Sequence, residues 1–226
     1  MKKYLLIAAI LCVPIAAFGW GIGLIGSGGS GVVAPTYLIG PIDFESGTYS
    51  TGNIVSQDGW TGNGDAWLIS TGQSRGSQSL MGDVSAGEFE YVEKTFTARS
   101  GTFTINYWIY LTNYDEQKWP LILDSAYSEG PLNQIIRIQS YGNPPTIKNC
   151  VAGSCSNTST TITINGWHEI KIVADTDADT YDLYVDNMSS AAETSLGFNY
   201  VASQVTEIAL SITALDMYID DLSVYY

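Results

Sequence analysis

Residues 88 to 93 read EFEYVE, three carboxylates in six residues. In an extended segment Glu88 and Glu90 project to one face about 6.5–7 Å apart, at ~3.3 Å per residue. Breaking a glycosidic bond takes two carboxyls on this scale, one to protonate the leaving oxygen and one to act as nucleophile or base. Glu88 and Glu93 are the pair such chemistry would use here. The same stretch also has the texture of an ordinary strand, with Phe89 and Tyr91 inward and Glu88 and Glu90 in water, and that reading is the one adopted.

Other reactive groups are sparse. The one histidine, His168, sits in a strand-like run beside Ile170, and no Gly-x-Ser-x-Gly elbow occurs. Arg137 in QIIRIQ could serve a polysaccharide lyase, but the accompanying His and Tyr-Lys motifs are missing. The acidic run DTDADT (175–180) is spaced like the start of a calcium loop. It has Thr180 where the loop needs glycine and ends at Asp186 rather than Glu, so it is read as a hairpin turn.

Sugar recognition asks for flat rings beside hydrogen-bonding side chains. In GTFTINYWIYL (101–111), Phe103, Ile105, Tyr107, Ile109 and Leu111 share one face, leaving Asn106, Trp108 and Tyr110 on the other. Arg137 and Gln139 are expected to point outward from QIIRIQ and to extend that shelf if the two strands share a sheet. Tyr114 and Trp119 are loop-borne candidates. The competing reading for Trp108 is a second small core beneath a loop.

The elements that must hold these residues are short strands separated by Gly, Asn and Asp turns. WHEIKIVAD and YDLYVDN flank the acidic turn, EIALSIT and DMYIDDLSVYY form a last pair, and no mature window of ten residues carries a helical period. The expected fold is all-β, a two-sheet antiparallel jelly-roll sandwich. Residues 1–19, with Lys2, Lys3 and a short apolar run, read as a secretory signal peptide. Residues 20–36 are a Gly-rich flexible lead-in, and 37–226 a single domain.

Removing Lys2 and Lys3 takes Lys+Arg from 9 to 7 against 23 Asp+Glu, moving the formal charge from −14 to −16. Such a chain repels phosphate backbones and anionic membranes, which argues against both as partners, and no second apolar run follows the leader to insert into a membrane. Neutral polysaccharides and divalent cations suit it better. Cys150 and Cys155 are the only mature cysteines, and export favours a disulfide between them. A zinc pair would lack further ligands, since only His168 could join it.

The stretches FTINYWIYL, NGWHEIKIVADTDADTYDLYVDN and YIDDLSV together resemble concanavalin-A-like jelly rolls, in particular laminin-G-like domains. DFESG, DGW (58–60) and GSQSL (76–80) are also similar to calcium-containing carbohydrate-binding modules. That second resemblance implies a structural calcium held by Glu45 of the early FE and by Asp220 and Asp221 of the late IDD; otherwise IDD marks a bulge with both Asp solvated. Family 16 hydrolases share the sandwich and carry Glu-x-Asp-x(-x)-Glu, but Glu90 stands here in place of the central Asp. The expected function is a secreted or cell-surface, non-catalytic module for a polysaccharide or cell-surface glycan. The alternatives are a structural or adhesive surface protein, self-assembly being left open, and a polysaccharide-degrading enzyme using Glu88 and Glu93.

Overall fold

The computed structural model describes residues 34–63, 65–83, 90–114, 117–118, 121–123, 134–212 and 217–226. Glu88, Trp119 and the leader fall outside them. The compact unit built by the described residues runs from Pro35 to Tyr226. It is all-β, with no helix among the described residues, and every strand pairing is antiparallel.

Strands are numbered in chain order. The largest sheet runs β16 (Glu193–Gly197), β15 (Thr180–Val185), β14 (Trp167–Asp175), β7 (Thr102–Leu111), β18 (Met217–Tyr225), β5 (Ser79–Gly82), β4 (Trp67–Ser70) and β2 (Gly52–Asn53), and β1 (Tyr37–Ile42) also pairs with β18. A five-stranded sheet runs β10 (Gln134–Ile136), β9 (Leu121–Leu123), β17 (Val205–Ile212), β6 (Glu90–Arg99) and β3 (Thr61–Gly62). A four-stranded sheet runs β13 (Ser154–Thr161), β12 (Thr146–Val151), β11 (Ile138–Tyr141) and β8 (Gln117–Lys118).

The sheets form a sandwich because each turns one apolar face toward a shared core. Phe103, Ile105, Tyr107, Ile109 and Leu111 of β7 meet Ile170 and Ile172 of β14, Val92 of β6, Ile208 and Leu210 of β17 and Ile147 of β12 in one buried cluster. Trp60 and Trp67, unassigned from sequence, are also fully buried there. Ile109→Ala is expected to cost about 2–5 kcal/mol, from lost transfer energy and the cavity left behind. The midpoint of chemical denaturation measures it.

The acidic turn is a hairpin: Asp175 and Thr180 face each other, and Asp177 N donates to Asp175 Oδ1 at 2.8 Å. The Cys150–Cys155 disulfide staples β12 to β13 across directly opposed positions. The chain ends of the unit lie side by side. Thr36 and Tyr226 exchange both backbone hydrogen bonds, at 3.0 and 3.1 Å.

Three expectations are corrected. EIALSIT (within β17) does not pair with DMYIDDLSVYY (β18); it lies in the five-stranded sheet between β6 and β9. In β6 the sides are reversed: Val92 enters the core, so Tyr91 and Glu93 face outward. Glu90 shares the side of Val92, where it accepts a hydrogen bond from Ala66 N. QIIRIQS is two strands: Arg137 breaks the run, and Ile135, Ile136 and Ile138 are all buried where strict alternation would expose one of them.

Candidate functional site

The outward face of the nine-stranded sheet gathers aromatic and polar side chains in rows set by register. Tyr110 of β7 lies opposite Tyr218 of β18 on one side and Trp167 of β14 on the other. The Tyr110 ring is 5.6 Å from that of Trp167 and 6.1 Å from that of Tyr218, edge-on to the latter. One row along, Trp108 stands between Asp220 and Glu169, and in the next Asn106 stands between Ser223 and Lys171. Asn106 Nδ2 donates to Glu169 Oε1 at 3.1 Å, and the Lys171 ammonium lies 3.8 Å over the Tyr184 ring.

Arg75 completes the face. The turn between β4 and β5 lays its guanidinium carbon 3.4 Å from the Trp108 ring centroid. Its Nε donates to Asp221 Oδ2 at 2.9 Å, and its backbone N–H to Asp220 Oδ2 at 2.9 Å. The indole is therefore capped by a cation rather than left bare. A guanidinium fixed through its face and its Nε keeps a fork of terminal donors, the geometry that reads hydroxyl or carboxylate oxygens.

β18 supplies the two aspartates through a bulge. Asp220 pairs with Trp108 and Ser223 with Asn106, so three steps on β18 match two on β7. Asp221 takes φ 51° there. The alternative reading of IDD, a bulge with both aspartates solvated, holds for the bulge and for Asp221, which reaches solvent, but not for Asp220, which is 1 % exposed. Burial pushes the Asp220 carboxyl up to about 6, aided by the charges of Asp221 and Glu45 and opposed by hydrogen bonds from Arg75 and Asp221 N–H groups. Glu45 is held below its ordinary value, chiefly by the Ser77 hydroxyl and then by Ser77 N–H at 2.7 Å.

Because the fold binds the Asp220 proton more tightly than the unfolded chain does, this group favours folding at low pH. Without divalent cations, stability is expected to rise by no more than about 2 kcal/mol as pH falls from 8 through 6 toward the ordinary carboxylate range. Melting temperatures across that window measure it, and Asp220→Asn should flatten the slope. Glu45 works in the opposite sense, its contribution being lost only at still lower pH as its depressed value is crossed.

The donors for a calcium ion do not converge as they stand. Among the described residues no group of three or more His, Cys, Asp or Glu side chains could hold a metal ion. The Glu45 oxygens accept from Ser77 and Gln78, and Asp220 Oδ2 and Oδ1 from Arg75 and Asp221 N–H. The charge suits a cation; the arrangement suits Arg75.

Of the sequence candidates, Asn106, Trp108 and Tyr110 share one face with Asp220 and Asp221. Arg137 and Gln139 do not extend that shelf. Gln139 lies in the four-stranded sheet and is 3 % exposed, and Arg137 sits at the break between β10 and β11. Tyr114 lies elsewhere, its carbonyl accepting from Gly142 N–H at 3.3 Å beside the β11–β12 turn. Glu93 is on the side of the five-stranded sheet away from Val92, where Glu207 of β17, itself 3 % exposed, is its diagonal neighbour across the register. His168 bonds Asp186 Oδ2 at 2.8 Å and Thr163 Oγ1 at 3.0 Å. Arg75, Trp167, Tyr218 and Glu169 were missed as members of the face. Trp167, Tyr218 and Glu169 could have been found from strand pairing; Arg75 lies in a turn with no periodic signal.

No protein-family model and no curated protein matches the chain. Solved structures do. The carbohydrate esterase vb_24B_21 from the Shiga toxin-encoding bacteriophage phi24B is similar with TM-score 0.57 and 11 % identity, over 85 % of this chain and 99 % of that one. A sialidase is similar with TM-score 0.54 and 11 % identity over 81 % of this chain, which spans 19 % of the sialidase's length. The carbohydrate-binding module CBM66 from Bacillus subtilis is similar with TM-score 0.50 and 13 % identity, over 74 % of this chain and 96 % of that one. At these identities the likeness is one of fold.

Proposed function

We propose that the protein is an exported, non-catalytic glycan-binding module whose ligand lies on the outward face of the nine-stranded sheet. The observation that carries this reading is the pair Tyr110–Trp167, backed by the buried Tyr218 and set beside Trp108 under Arg75. Rings of this kind stack on the C–H faces of sugars, while Arg75, Asn106 and Glu169 supply donors and acceptors for hydroxyls. The similar structure named a carbohydrate-binding module supports the same direction. Export agrees with the leader and with the Cys150–Cys155 disulfide.

The test is affinity electrophoresis through gels of soluble polysaccharides, beside a glycan array. Retention of the wild-type domain, and its loss in Trp167→Ala with an unchanged melt, is the expected result. A blank array and unretarded migration in every gel would remove the reading and leave a structural or adhesive surface protein.

Calcium belongs to this proposal on charge alone. Asp220 and Asp221 bring two carboxylates against Arg75 at the β18 bulge, with the Glu45 charge near enough to bear on Asp220, and an ion taking the aspartate oxygens would displace Arg75 N–H donors. Calcium is expected to raise the melting temperature, and a chelator to reverse it. An unchanged melt would leave Arg75 as the counter-charge at the bulge.

A further inference from the structure

The same outward face ends in a polar pocket that the aromatic rows do not reach. A cavity of about 280 Å³ opens where β7, β14, β15 and β16 meet, lined by Thr102, Asp175, Thr180, Asp182 and Ser195 beside Val173 and Tyr181. Register explains the lining. Asp175 lies directly between Thr102 and Thr180, and Val173 directly between Thr104 and Asp182. Ala174 and Tyr181 enter the core, so these side chains belong to the solvent side, the side of Trp108. A shift of register between β15 and β16 places Ser195 at φ 54°, with its N–H donating to Asp182 Oδ1 at 2.8 Å.

We infer that this pocket receives the terminal sugar of the bound glycan, and that it selects a sugar bearing hydroxyl or ammonium donors and no carboxylate. The inference rests on the glycan-binding reading and adds the class of ligand. The volume is small for a drug-sized ligand and suits one ring. The lining offers two carboxylates and three hydroxyls. Among the described residues each aspartate accepts through Oδ1, Asp175 from Asp177 N–H and Asp182 from Ser195 N–H, which leaves Oδ2 of each to accept from a ligand. Two acceptors fixed by neighbouring backbone on adjacent strands suit vicinal hydroxyls, which donate side by side.

Charge supplies the selectivity. Among the described residues no Lys, Arg or His lines the pocket, and the chain carries a formal −14. A uronate or sialate carboxylate entering it would meet two like charges without a counter-ion, whereas a neutral or amino sugar would not. Position supplies the rest. Along β7, Trp108 and Thr102 are six residues apart, roughly 20 Å, so a ligand touching both the indole row and the pocket is an oligosaccharide. Asn106, Lys171 and Tyr184 lie on the track between them.

The experiment compares calorimetric binding of neutral, amino-terminated and uronate-terminated oligosaccharides, at several lengths, to four proteins. These are wild type, Trp167→Ala, Thr102→Val and the double variant Asp175→Asn with Asp182→Asn. Asparagine keeps Oδ1 as acceptor for the Asp177 and Ser195 N–H groups, so the double variant retains its hairpin and turn, and an unchanged circular dichroism melt verifies this. Thr102→Val tests the lining without touching charge. For wild type the expected result is binding that strengthens with length up to the span of the face and excludes uronate ends. The double variant should bind the neutral ligand at least tenfold more weakly and lose most of its discrimination against uronate, and Thr102→Val should weaken binding severalfold.

If wild type binds and Trp167→Ala abolishes it while both pocket variants bind as wild type does, the pocket inference is overturned and the face survives. Preference of wild type for uronate ends would also overturn it. If wild type binds none of these glycans, the glycan-binding reading fails, and this inference with it.

Discussion

Trp108→Ala is expected to lower affinity for a retained glycan by roughly thirtyfold or more, the range of an interface hot spot, while leaving the domain folded. Two losses coincide in this variant. The ring that sets the level of the outward face disappears, and the Arg75 guanidinium loses the surface that holds it flat. The remaining Arg75–Asp221 pair is partly exposed and is worth about 0–1 kcal/mol by itself, too little to keep the fork in place. The cost to folding should be small by comparison, because Trp108 faces away from the core cluster. Trp108→Phe keeps a flat surface and should recover most of the binding. Retention in affinity gels, read beside a thermal melt, separates these effects. Full retention by the alanine variant would show that the glycan does not use this face.

Gly40→Ala should damage the domain severely, for two reasons that add. Gly40 takes φ 76°, in a region that costs a residue with a Cβ about 1–2 kcal/mol. The new methyl would also collide with the Leu222 carbonyl oxygen and stand 2.7 Å from Ile42 N. Both obstacles are backbone, so neither yields by a rotamer change, and a further 1–3 kcal/mol of overpacking is expected. The total, about 3 kcal/mol, corresponds to a melting temperature lowered by roughly 6–12 °C for a unit of this size. Gly47→Ala is the control. Gly47 has no positive φ and nothing within 4 Å of the added methyl, so it should melt as wild type does. Equal melts for the two variants would mean that β1 does not seal against β18 as described.

The outward face was legible in part. Alternation in 101–111 identified both sides of β7, because a central strand with one solvent side must place every second residue in the core, and Asn106, Trp108 and Tyr110 followed. Partners from distant strands were not legible. Periodicity states which side of its own strand a residue occupies but not which strand lies alongside. EIALSIT was therefore assigned to its sequence neighbour when its ladder lies with β6, and Glu207 went unnoticed beside Glu93. EFEYVE was misread for a related reason. The core side was inferred from Phe89 and Tyr91, yet Val92 is the residue that enters the core. IDD announced its bulge but not the burial of Asp220, which depends on the β4–β5 turn closing over it with Arg75. QIIRIQS looked uniform because a chain crossing from one sheet to another leaves no mark in composition.

The pairing of Thr36 with Tyr226 has a mechanical consequence. β1 and β18 are antiparallel, and residues 36 and 226 meet at the same end of that ladder. Tension applied between them peels the two strands apart one rung after another instead of sliding them past each other, so the load falls on single hydrogen bonds in turn. If the domain were stretched between those two points, β1 would be the first element to yield. Its release would uncover Ile39 and Ile42 at low force, with the strands that carry Trp108 and Trp167 still in place. Stretched between residues 36 and 226, the domain would give way at its seam before its binding face.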